Sequence, residues 1–186
     1  MHYFDGPPAP PRRTIARRIC ALAIILLALP SLAVWGVRGM AFAFHCSPGP
    51  GICGGFPAIG AVFKHALEGA WFLGGNPLLC IAIAFIASVA GLAARHPLTA
   101  ALNMLLLPIA AVLLPTLAVY ASRYPGCDPN EQGIGNCTLW GTRMGMNFHY
   151  AALAPSLIYN FVPYSVALAL MILAMGLLFF RPRYQR

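Results

Sequence analysis

The sequence predicts an all-α integral membrane protein, a four-transmembrane-helix bundle with two extracytoplasmic loops, the first carrying an interfacial amphipathic helix. Three observations predict it. Of 186 residues, 60% are apolar and 9% charged, and the mean hydropathy of +0.74 lies outside the range of soluble domains. Residues 98–121 form one uncharged run that includes Met104, Pro108 and Pro115. A helix needs about 20 apolar residues to cross the hydrocarbon core, so this run crosses with some tilt. Three more apolar runs, at about 19–37, 77–94 and 161–180, complete the set.

Charge reinforces the same reading. The net charge is +8, and eleven of the twelve basic residues are arginine. Most sit just outside the apolar runs, where they act as topology signals and as contacts to anionic headgroups. Membrane lipid is therefore the expected partner, and nucleic acid is not.

Residues 1–18 form a cytoplasmic basic tail, with Pro7, Pro8, Pro10 and Pro11 favouring an extended, solvated chain. The run 19–37, with Pro30 at its centre, follows Arg12, Arg13, Arg17 and Arg18. Together with Ala41-Phe42-Ala43 it has the parts of a secretory signal; we read it as a retained signal anchor, the first span. The loop 38–76 holds Cys46 and Cys53 and then a stripe of Ile59, Val62, Phe63, Ala66, Leu67, Ala70 and Trp71. Steps of three and four put these residues on one helix face, opposite Lys64, His65 and Glu68. The segment is too polar to span, and an amphipathic helix on the membrane surface or capping the bundle fits it.

Span two (77–94) carries Ala84, Ala87, Ser88 and Gly91, small residues that let a neighbour approach closely. The turn Arg95-His96-Pro97 is short enough to make spans two and three antiparallel neighbours. Asn103 in span three suits an interhelical hydrogen bond. Pro108 and Pro115, nearly on one face, are expected to bend that span where neighbours can satisfy the freed carbonyls. The second loop, 122–160, holds Cys127, Cys137 and a turn-rich middle, and its end at 144–159 is expected to rest on the interface. Span four (161–180) stops at the basic tail 181–186.

Counting sets the orientation. The termini and the short turn hold Arg12, Arg13, Arg17, Arg18, Arg95, Arg181, Arg183 and Arg186; the long loops hold Arg38, Lys64, Arg123 and Arg143. By the positive-inside rule both termini are cytoplasmic, and an even number of spans returns the chain to its starting side. The expected location is the bacterial inner membrane. Four of the six cysteines then lie outside, where disulfides persist. Short Gly/Pro-rich loops favour Cys46–Cys53 and Cys127–Cys137, with a crosslink between the loops as the alternative. Cys20 and Cys80 are apolar filler within spans.

The constellations that could carry chemistry are few. Met144-x-Met146-x-x-His149 offers soft ligands suited to Cu(I), with His45 beside Cys46 as a further donor, but no metal-ligand spacing rule is met. The spans hold no histidine and no ionisable carboxylate or base, which argues against a proton relay or a bis-histidine haem. Four spans, both ends inside and a cysteine pair in each outer loop form a layout similar to the quinone-dependent disulfide-forming oxidases of bacterial inner membranes, the DsbB family. That resemblance implies a thiol–quinone relay through a Cys-x-x-Cys near the first span. Here the first pair, Cys46-Ser-Pro-Gly-Pro-Gly-Ile-Cys53, is spaced by six residues, which forfeits the tuned vicinal thiolate.

The favoured reading is a non-enzymatic small integral subunit or assembly factor of a larger inner-membrane complex. Its outer loops and flanking segments carry Trp71, Trp140, Tyr150, Tyr159 and Tyr164, aromatics expected at the membrane interface and in partner contacts. Other integral membrane proteins are its expected partners; no cofactor is expected, with bound lipid or quinone as an option. The alternatives are the thiol–quinone oxidoreductase and a membrane immunity protein against a pore-forming toxin.

Overall fold

The structure, a computed structural model, describes residues 11–130 and 137–179. The Pro-rich start of the basic tail, the 131–136 stretch of the second loop and the 180–186 tail lie outside the described residues. The chain is mostly helical: α1 (Pro11–Ala43), α2 (Ile59–Gly74), α3 (Pro77–Ala93), α4 (Pro97–Ala121) and α5 (Gly145–Phe179), with a short hairpin β1 (Thr138–Leu139) and β2 (Thr142–Arg143). Helices α1, α4 and α5 are long and apolar enough to cross a membrane, and the pair α2–α3, bent by 75°, makes a fourth if it counts as one span.

Helix α4 is central. It packs most extensively on α5 and also contacts α1, α2 and α3, while α1 and α5 have no extensive contact with each other. Small residues set the spacing. Ala84, Ala87, Ser88 and Gly91 are all buried in α3. A Cβ on Gly91 would stand 3.2 Å from the Ala100 methyl, so the α3–α4 pair closes on a side chain that is absent. Two hydroxyls within the bundle are satisfied locally: Ser88 donates to the Ala84 carbonyl and Thr116 to the Val112 carbonyl, both at 2.7 Å, whereas the buried Ser165 hydroxyl of α5 has no hydrogen-bond partner among the described residues. Asn103 reaches across to α1, its amide 3.4 Å from Cys20 Sγ.

The turns follow from local chemistry. Asn76 and His96 each precede a proline that opens a helix, and each leaves the helical region (φ −106°, ψ 85° and φ −116°, ψ 74°). Two residues past the ends of α1 and α3 stand His45 and Arg95, both left-handed (φ 55° and 65°), with the following N–H closing back on Ala41 and Gly91 respectively. Pro115 deprives the Ala111 carbonyl of its intrahelical N–H. Gly74 of α2 covers that carbonyl, which would lie 2.8 Å from a Cβ at this position.

Two helices are longer than the apolar runs that announce them. The first run, 19–37, lies inside the 33-residue α1, and the last, 161–180, overlaps the second half of the 35-residue α5. Segment 144–159, expected as a separate interfacial stretch, is the first half of α5 from Gly145 onward. The helix persists through Pro155 and Pro163. Each of these helices is about 50 Å long at 1.5 Å per residue, well beyond the roughly 30 Å hydrocarbon core.

The surface is apolar where a water-soluble bundle would be polar. On α1, Leu22, Ile25, Leu29 and Leu32 are each more than half exposed, and on α5 so are Leu170, Leu177 and Leu178. Such an outward face is suited to lipid, whereas in water it would be an aggregation surface.

Candidate functional site

One end of the bundle carries a cap built from loop 44–58, α2, the β1–β2 hairpin and the first turns of α5. Its centre is Trp140, 2% exposed. Trp140 and Gly141 are the two central residues of the hairpin turn and both have positive φ (47° and 75°), the backbone twist that two-residue hairpins favour. A left-handed tryptophan is rare, and this one is held from every side. Its indole stands edge-on to Phe63 of α2, centroids 5.4 Å apart, and donates to the Ser47 carbonyl at 3.1 Å. Its backbone N–H reaches the Gly49 carbonyl at 2.9 Å, and that of Gly141 reaches Pro50. The Arg38 guanidinium lies 5.9 Å from the ring centroid and donates to the last carbonyl of α4, at Ala121.

Glycine permits the closest contact. A Cβ on Gly60 would meet the Trp140 carbonyl oxygen at 2.5 Å and the Leu139 carbonyl oxygen at 2.9 Å. Helix α2 can press on the hairpin because residue 60 has no side chain. The stripe of α2 accordingly faces protein: Ile59, Phe63, Leu67, Ala70 and Trp71 are buried, Ala66 is half-buried and Val62 is exposed.

The cysteines pair within loops. Cys46 and Cys53 lie at disulfide distance (Cα–Cα 5.5 Å), as do Cys127 and Cys137 (4.9 Å). The two loops meet through the hydrogen bonds of Trp140 and Gly141, without a crosslink between them. Cys53, Cys127 and Cys137 are 5% exposed or less, and Cys46 is half-buried. Tyr124 braces the second loop by donating its hydroxyl to the Thr138 carbonyl.

Two hollows border the cap. The larger, about 740 Å³, lies between α2 and α5 and is lined by Lys64, Glu68, Trp71, Arg143, Met146 and Tyr150 among others. The smaller, about 370 Å³, lies beside the Cys127–Cys137 loop and takes in Asp128 and His149. The Met144, Met146 and His149 set is divided between the two hollows. Met144, itself buried, and Met146 both line the larger hollow. His149, one helical step further round α5, has Nδ1 3.2 Å from the Asn130 carbonyl oxygen. Among the described residues, no group of three His, Cys, Asp or Glu is placed to hold a metal ion.

The aromatics divide. Tyr159 and Tyr164 are well exposed and Tyr150 partly so, but Trp71 and Trp140, expected at the interface, are buried in the cap. The roles of Trp140, Gly60 and Arg38 were missed by sequence reasoning. The only local signal was the Trp140-Gly141 turn between Thr138 and Thr142, since a lone glycine at a helix start carries no message about what presses on it. No family model, curated protein or solved structure matches this chain.

Proposed function

We propose that this chain is a non-enzymatic integral subunit or assembly factor of a larger bacterial inner-membrane complex, with both termini cytoplasmic and the cap on the outer face. One observation carries the reading: three of the four cap sulfurs are buried in the packing that joins loop, hairpin and helix. Thiol–disulfide exchange needs a sulfur open to an attacking thiolate, whereas a brace is best kept from one. The braced loop holds Ile52 outward and Phe44 half-exposed, with Phe42 exposed at the end of α1, a rigid apolar edge of the kind partner contacts use.

Native electrophoresis in mild detergent tests this. The chain should migrate within a particle larger than itself plus a micelle, and migration as the lone chain would contradict the proposal. The half-buried Cys46 supports a second reading, the quinone-linked thiol oxidoreductase. Replacing Cys46 and Cys53 together by serine separates the two. A bracing pair predicts loss of protein level and of the large particle. A catalytic pair predicts normal protein level with quinone reduction abolished.

A further inference from the structure

The 740 Å³ hollow between α2 and α5 has the size of a small-ligand site and an unusual division of charge. Lys64 and Arg143 contribute two cations and Glu68 one carboxylate. Glu68 is 3.8 Å from Lys64 and 2.9 Å from His65, yet its side chain remains 48% exposed, so the carboxylate sits at a wet rim and is available. Trp71 and Tyr150 line the same hollow with centroids 6.1 Å apart and rings inclined at 37°, an aromatic corner of the kind that attracts ammonium groups. Gly145 and Met146, at the N-terminal end of α5, also line it, and that end of a helix favours negative charge. On the open side stands Phe72, and two residues past Asn76 comes Leu78, 85% exposed, which begins the outward apolar face of α3.

We propose that this hollow holds the headgroup of a zwitterionic glycerophospholipid. The phosphodiester lies towards Lys64 and Arg143, the primary ammonium against Glu68 and the Trp71–Tyr150 corner, and the acyl chains run along Phe72 and Leu78. A free phosphate would use the cations and leave the carboxylate, the rings and the apolar wall without a role. An anionic lipid lacking an ammonium would bring a further negative charge beside Glu68 with no cation of its own to offset it. The proposal stands apart from the subunit reading, because it concerns a different face and a different ligand.

Native mass spectrometry of the full chain released from detergent tests it, with phosphatidylethanolamine, phosphatidylglycerol and soluble phosphoethanolamine as probes. The ethanolamine lipid should bind more tightly than the glycerol lipid by about threefold or more, the size of an exposed cation–π contact. Glu68→Gln should erase that preference while leaving phosphatidylglycerol bound, and Lys64→Ala with Arg143→Ala should weaken both lipids about tenfold. These side chains are at least partly exposed, so the variants should keep the parent's thermal midpoint in detergent, which is measured alongside. Equal binding of the two lipids, or a preference that survives Glu68→Gln, overturns the proposal. Displacement of lipid by soluble phosphoethanolamine also overturns it, in favour of a soluble phosphate ligand.

Discussion

Trp140 shows what a single side chain does in this molecule. A two-stranded hairpin is marginal by itself, and a turn that puts tryptophan at φ 47° adds strain. The hairpin persists because that ring fills the space between Phe63, Arg38 and loop 44–58. Trp140→Ala should therefore cost about 3–5 kcal/mol, as large buried aromatics do, read as a fall in unfolding midpoint in detergent. Two glycines of α2 give a sharper comparison. Gly60→Ala should destabilise, because its methyl would collide with two hairpin carbonyls; Gly69→Ala, with nothing within 4 Å, should be neutral or stabilise by up to about 1 kcal/mol from helix propensity. Thermal unfolding of the pair checks both signs. This scale was the least legible in the sequence. Trp140 read as an interfacial aromatic because a two-residue turn has no period to announce burial, and Trp71 because the α2 stripe shows an apolar face without showing what covers it. Gly60 was silent because its role is set by a partner 80 residues away.

At the scale of elements, the apolar runs announced the helices but not their lengths. The stretch 145–160 carries Asn147, His149 and Asn160 and two prolines lie close by, so hydropathy alone stops short of it. The structure keeps it helical because its buried face, with Phe148, Ala151 and Ala154, packs into the same core as α2 and the hairpin. Tertiary packing overrides the local signal. The α2 stripe was legible from its spacing, but what it faces was not; a helix period reveals one apolar face and cannot say whether lipid or protein covers it. The small-residue face of α3 gives a direct test. Gly91→Leu should separate α3 from α4 at Ala100 and lower the unfolding midpoint. Gly39→Leu, on α1 with nothing within 4 Å, should leave it nearly unchanged.

Across the whole molecule, an apolar exterior surrounds a bundle core that is itself apolar, and the polar chemistry collects in a cap at one end. The paired cysteines lie in that cap, 7 and 10 residues apart in sequence, and loop closures of this length are worth roughly 2–3 kcal/mol each. The membrane class was legible from run length and composition. The union of two distant loops into one cap was not, because main-chain bonds such as Trp140 to Gly49 leave no trace in side-chain pattern. The central claim is that the helices cross a bilayer with cap and α3–α4 turn on opposite sides. Cysteines introduced singly at the exposed positions His65 and His96, labelled with a membrane-impermeant maleimide on intact cells and on inverted vesicles, test it most directly. The account predicts that His65→Cys reacts only from outside and His96→Cys only from inside; labelling of both from the same side would contradict it.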